Sequence, residues 1–293
     1  MKQQSERFPV QRLCKIAGVS TSGYYAWRKR PPSQRVREDA LLLADIHQVH
    51  ADSHGSYGYR RVFAALLALK HKKMKGAFGR DRVARLMRQY GIRSNRKRRR
   101  KSTTRVTKIL PDVGNLLGRQ FTTEQPNKAW VSDISYVPTG EGWLYLAVVL
   151  DLYARRVVGW AVSSRLTQEL ACRALRMAII NRRPPAGLIH HSDRGSQYTS
   201  WAYRDLLTRH QLQMSMSKTG SCFDNAVAES FFATIKSEWL AQQRFATRQE
   251  ARTAIFYFIE VFYNRRRLHS TLGYLSPLAF ENAYYQSKGI CLN

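Results

Sequence analysis

A chain of 293 residues with 44% hydrophobic and 11% aromatic residues has enough apolar material for a core of ordinary size and a smaller module, which excludes a chain disordered throughout. Its 49 Lys and Arg against 20 Asp and Glu give a formal charge of +29, which points to a polyanionic partner. No apolar run approaches the ~18 residues needed to cross a bilayer, no secretory h-region opens the chain, and Cys14, Cys172, Cys222 and Cys291 lack paired spacing, so we expect a soluble cytoplasmic protein with reduced thiols and no membrane contact.

Residues 9–30 read as two short helices, because Val10, Leu13, Ile16 and Ala17 recur at helical spacing before the break at Gly18–Ser22. A second helix carrying Tyr24, Tyr25, Trp27 and Arg28 makes residues 1–35 a helix-turn-helix segment or a plain helical hairpin. A helix over Glu38–His50, a turn through Asp52–Gly58, a helix through Tyr59, Val62, Phe63, Leu66 and Leu67, and a third over Arg80–Tyr90 follow. Residues 36–92 thus form an all-helical basic DNA-binding module, with Arg60 and Arg61 as candidate contacts. Residues 93–122 are a basic linker whose Arg98, Arg99, Arg100 and Lys101 have hardly an apolar neighbour to fold around and are expected to order on a phosphate backbone. Of the basic residues 28 lie in residues 1–110, against 6 acidic ones, so the first third is the stronger electrostatic anchor.

From Trp130 the pattern changes to strands: Trp130–Val137, Trp143–Leu152 and Arg156–Ser163, an antiparallel meander. A helix over Thr167–Asn181, a strand over Leu188–Ser192, a helix over Ser200–His210 and a strand over Gln213–Ser217 come next. Helices over Asp224–Trp239 and Arg248–Asn264 close the pattern. The division is a catalytic core over 123–240 and a C-terminal helical extension over 241–293.

Three carboxylates stand where an unpaired charge is expensive. Asp133 lies inside the first strand beside Trp130, Val131 and Ile134, Asp193 follows Leu188 and Ile189, and Glu229 lies on a helix among Ala226, Val227, Ala228, Phe231 and Phe232. Each needs a cation, and a few carboxylates suffice for hard ions that keep several waters. Two such ions serve the in-line displacement of phosphoryl transfer between DNA strands. Asp193 and Glu229 have 35 residues between them, and Lys236 lies two helical turns beyond Glu229.

The words around these acids are Trp130-Val-Ser-Asp133-Ile-Ser-Tyr136, His191-Ser-Asp193-Arg-Gly195-Ser-Gln197-Tyr198, and Asp224-Asn-Ala-Val-Ala-Glu229-Ser-Phe-Phe-Ala-Thr-Ile-Lys236. With the tail Tyr263-Asn-Arg-Arg-Arg-Leu-His269-Ser-Thr-Leu-Gly273-Tyr and the His54-Gly-Ser-Tyr57-Gly58 module, essentially the whole chain resembles the OrfB-type transposases of insertion sequence family three. The resemblance implies an α/β ribonuclease H-like core, a mixed five-stranded sheet flanked by helices, preceded by the helical basic region. It implies that Asp133, Asp193 and Glu229 are the catalytic residues and hold two magnesium ions (Mg2+), with manganese (Mn2+) as a substitute. It also implies that Lys236 contacts donor-end DNA, with Gln197 and Asn225 as further DNA contacts. The implied reaction nicks element ends and joins the freed 3'-hydroxyl to another phosphodiester. The implied partners are double-stranded DNA at terminal inverted repeats and targets, further copies of the chain, and an OrfA-type partner or fusion, in a bacterial cytoplasm at the nucleoid.

A DNA-binding regulator or inactive remnant and a nuclease that cuts without joining are the rival readings. Asp151 competes as a ligand, but its place on the second strand suits a structural role. His47, His50 and His54 lack a Cys pair for zinc, and His190 and His191 either tune the site or serve packing. Arg265 and Arg266, in the run before His269, either clamp phosphate or are simply solvated.

Overall fold

The computed structural model describes residues 7–70, 78–95, 114–217 and 222–290. Its N-terminal part is helical: α1 (Val10–Ile16), α2 (Thr21–Lys29), α3 (Gln34–Asp52), α4 (Tyr59–Lys70) and α5 (Arg80–Gln89). Helix α2 is capped by Ser20, whose Oγ accepts the Gly23 N–H at 3.0 Å. The expected start of α3 at Glu38 is corrected to Gln34, because Ser33 Oγ accepts the Val36 N–H at 3.4 Å and so caps the helix a turn earlier. Helices α3, α4 and α5 bury Leu42, Ile46, Val49, Val62, Leu66, Val83, Leu86 and Met87 against one another. Arg82 and Arg85, on the polar face of α5, are held by Asp39 at 2.6 Å each.

The sheet contains β1 (Ala129–Thr139), β2 (Gly142–Asp151), β3 (Val157–Ser163), β4 (Ile189–Ser192) and β5 (Gln213–Met216) in the order β3-β2-β1-β4-β5. Short turns make β1–β2 and β2–β3 antiparallel. The parallel pairs β1–β4 and β4–β5 require crossovers, supplied by α6 (Gln168–Arg182) and by α7 (Ser196–Thr199) with α8 (Trp201–Arg209). Strand alternation divides the side chains between two faces. Trp130, Ala147 and Val149 pack with α6 and α8, whereas Val131, Val137, Leu146 and Val148 pack with α9 (Ala226–Glu238) and α10 (Arg248–Phe256). Helix α6 approaches β3 so closely that a Cβ on Gly159 would lie 2.2 Å from the Ala174 carbonyl oxygen.

The end of the chain differs from the single helix expected over Arg248–Asn264. Helix α10 stops at Phe256, a π-helical turn runs over Tyr257–Tyr263, and an unanticipated α11 spans Pro277–Ser287. Ser276 caps α11 by accepting the Ala279 N–H, with Pro277 at its first position. Its buried Glu281 binds Arg156 at 2.9 Å and also Arg182. The helical module and the α9 face of the sheet share one continuous apolar cluster, joined where His54 packs edge-on against Trp239, ring centroids 4.6 Å apart.

Candidate active site

Strand pairing carries two of the three acids to one place. Val131 is in parallel register with His191, so continuing each strand by two residues brings Asp193 level with Asp133. Asp133 is on the same side of β1 as Val131 and Val137, the side covered by α9. Glu229 enters from that direction, in the first turn of α9, where a helix favours negative charge.

The electrostatics register this convergence. The Asp133 carboxyl is pushed up to about 7, first by burial and then by the charges of Asp193 and Glu229, against the pull of the Ile134 N–H and of Lys236. Its Oδ1 accepts that N–H at 2.8 Å. Asp193 stands at the surface of the site, yet the protein packed behind it raises its carboxyl, partly offset by the Gly195 N–H donated to Oδ1 at 3.0 Å. Among the described residues no three His, Cys, Asp or Glu side chains are gathered tightly enough to form a ready-made metal cage. Asp133 thus feels the charges of Asp193 and Glu229 without the three being drawn into a closed cage among the described residues.

The other expected site residues divide. Lys236 faces the acids and places its Nζ 4.8 Å from the centre of the Tyr136 ring. Gln197 sits beside Asp193: a Cβ on Gly195 would lie 3.0 Å from both Asp193 Oδ1 and Gln197 Oε1, so the glycine leaves room for these two oxygens. Asn225 is buried rather than offered to solvent, and its Nδ2 donates to the Ser132 carbonyl at 3.0 Å while its Oδ1 has no partner among the described residues. It ties the start of α9 to β1 one residue before Asp133. Arg60 is exposed and donates to the Tyr59 hydroxyl, whereas Arg61 is turned inward onto Glu238 at 3.1 Å. Arg265 and Arg266 are exposed. Arg98, Arg99, Arg100 and Lys101 lie outside the described residues.

Behind the acids is a wall of polar side chains whose contacts the sequence did not reveal. His190 Nε2 is bonded to Ser132 Oγ at 2.8 Å and the Tyr203 hydroxyl at 3.1 Å, and His191 to Ser215 and Ser217. Burial pushes His190 down to about 3 and His191 to about 4, so both are neutral props near neutral pH. Tyr198 is buried close enough to Asp133 and Asp193 for their charges to act on it. Asp151 faces away, accepting the Asn127 and Tyr153 N–H groups at 2.8 and 2.9 Å. His50 bonds the Arg93 carbonyl, and His54 lies against Trp239.

Comparison with known proteins agrees with this architecture. Integrase core domain families match residues 123–222 and 210–277, and an HTH-like domain family matches 37–100. The insertion element IS600 uncharacterized 31 kDa protein of Shigella sonnei is 45% identical over 275 residues, covering 94% of this chain and 99% of that one. Transposase InsF for insertion sequence IS3A of Escherichia coli (strain K12) is 40% identical over 287 residues, 96% of both chains. Among solved structures, the simian T-cell lymphotropic virus intasome in complex with PP2A regulatory subunit B56 gamma aligns with a TM-score of 0.46 at 13% identity, covering 80% of this chain and 74% of that one. The HTLV-2 integrase catalytic core in complex with magnesium aligns at 0.41 and 17% identity, covering 54% and 98%.

An integrase core behind a helix-turn-helix-like module defines a polynucleotidyl transferase of the DDE type. The chain belongs to the transposases of the IS3 family of bacterial insertion sequences.

Proposed function

We propose that Asp133, Asp193 and Glu229 are the catalytic acids of this transposase and hold two magnesium ions, with manganese as a substitute. What supports this reading is the placement of Asp133, half-buried on β1, where the charges of Asp193 and Glu229 act on it and Lys236 is its cationic neighbour. The donor set is all oxygen, as hard divalent cations require, and the repulsion that Lys236 and the Ile134 N–H offset only in part is what such cations would relieve. When bound, the ions supply activation of the attacking hydroxyl and stabilisation of the leaving oxygen. The chain's own residues do the rest: Asn225 and the His190–Ser132 bond fix the strand behind Asp133, the Gly195 N–H orients Asp193, and Lys236 draws a DNA phosphate toward the acids.

In this reading the enzyme nicks the ends of its element and the freed 3'-hydroxyl attacks a second phosphodiester. Residues 36–92, with Arg60, and the exposed Arg265 and Arg266 bind the DNA backbone, and the basic segment around Arg98–Lys101 follows the duplex. Further copies of the chain assemble on the two element ends, with an OrfA-type partner or fusion supplying additional end recognition, in the bacterial cytoplasm. The test is a strand-transfer assay on duplexes carrying the element's own ends. Asp133→Asn is expected to abolish joining and leave duplex binding nearly intact; joining by that variant would rule out the assignment.

A further inference from the structure

The tip of the β1–β2 hairpin presents two large aromatic side chains to solvent, one of them in contact with Lys236, and neither has a role in the chemistry proposed for the acids. Tyr136 is 53% exposed and Trp143 50% exposed, their ring centroids 4.8 Å apart at 77°. They come from opposite strands, Trp143 pairing with Pro138 two residues beyond Tyr136.

The hairpin that carries them is anchored. The Gly140 N–H donates to the Phe245 carbonyl at 2.9 Å, and the chain passes so near that a Cβ on Gly140 would lie 2.5 Å from the Ala246 carbonyl oxygen. Arg248 donates its N–H to Glu141 at 2.9 Å and its Nε to the Trp143 carbonyl at 3.2 Å. The backbone bearing the rings is thus held before any ligand arrives, so little ordering cost falls on binding.

Charge selects the occupant. Lys236 Nζ lies 4.8 Å from the Tyr136 ring centre and also acts on Asp133, so one cation links the aromatic pair to the acids. The chain as a whole carries +29. An aromatic surface with a cation over one of its two rings, on a basic protein, matches an unpaired nucleobase attached to its phosphate. Two rings are too small an area for a stable protein interface.

We infer that Tyr136 and Trp143 form a stacking platform for an unpaired base of a DNA strand entering the active site. The inference rests on the reading of Asp133 and its neighbours as the site of DNA chemistry. A base drawn out of the duplex there would free the adjoining phosphodiester to approach the acids. Because every base has a π-face, the platform selects single-stranded character rather than sequence.

The experiment measures fluorescence anisotropy of the full chain with a blunt duplex and with the same duplex bearing a single-stranded oligothymidine overhang. The wild type is expected to favour the overhang, and Trp143→Ala to lose about tenfold in overhang affinity while blunt-duplex binding holds. Trp143→Phe should restore most of the loss, and Tyr136→Ala should repeat it should Trp143→Ala fail to fold. Equal binding of the two probes by the wild type, an equal loss on both, or no loss on either would overturn the platform. So would a change of oligomeric state in sedimentation with overhang affinity intact. Strand transfer by the wild type on the element's own ends is read in its own assay, so failure of the platform stays separate from failure of the catalytic reading.

Discussion

Asp133 is kept in an environment hostile to its own charge. Its carboxyl is raised to about 7 from an ordinary value of 3.8, so between those values the folded chain holds a proton that the unfolded chain has released. Stability of the metal-free protein from this group therefore falls as pH rises through that window. Asp133→Asn removes the repulsion and is expected to raise the metal-free melting temperature by about 2–4 °C for each kcal/mol relieved, measured by differential scanning fluorimetry. Magnesium binding needs the ionised carboxylate, so the rise in melting temperature on adding magnesium to the wild type should be larger at about pH 8 than at about pH 6. An equal rise at both would separate the ion from Asp133. The sequence singled out Asp133 and Asp193 because they stand in or after the apolar runs at Val131–Ile134 and Leu188–Ile189, and Glu229 because it lies among Ala226, Val227, Ala228, Phe231 and Phe232. The props were not legible: Ser132, Tyr203 and Asn225 are ordinary residue types whose roles depend on contacts across 58, 13 and 93 positions of sequence.

At the scale of elements, α9 is fixed at both ends. Asn225 secures its start, and its final residue Glu238, fully buried, receives Arg267 Nε and Nη2 at 2.7 and 2.8 Å and Arg61 Nη1 at 3.1 Å. Three elements meet in that cluster: α4 of the helical module, the helix bearing Glu229, and the tail. Removing one member of a buried pair strands the other, so Arg267→Ala should cost about 3–5 kcal/mol in urea unfolding, whereas the exposed neighbour Arg266→Ala should cost little. Comparable losses from both would show the cluster to be dispensable. The sequence displayed Arg265, Arg266 and Arg267 as one charged run, and only the π-helical turn over Tyr257–Tyr263 decides which of them points inward. That turn was illegible because Phe258, Ile259, Phe262 and Tyr263 are all buried and fit an ordinary helix face equally well. Helix α11 had a readable start in Ser276–Pro277, but its weak amphipathic pattern, with only Pro277 and Glu281 buried, hid its extent. The meander was readable because β1 and β2 are flanked by turn residues and rich in β-branched and aromatic side chains.

For the whole molecule, the positive charge and the packing of the helical module onto the sheet belong to one design. A shared apolar cluster fixes the module relative to the acids, so DNA held by the module is presented at a set distance from the chemistry. Affinity for duplex DNA should fall linearly on a logarithmic salt scale. Arg266→Ala should reduce the magnitude of that slope by about 1 if the exposed tail arginine touches phosphate, and an unchanged slope would assign it to solvent. Every role assigned to the sheet and the helical module depends on Asp133, Asp193 and Glu229 closing around cations. Anomalous diffraction from manganese-soaked crystals of the transposase on its element ends tests it most directly. Two manganese peaks among those three carboxylates are expected; peaks elsewhere, or none among the three, would rule the assignment out.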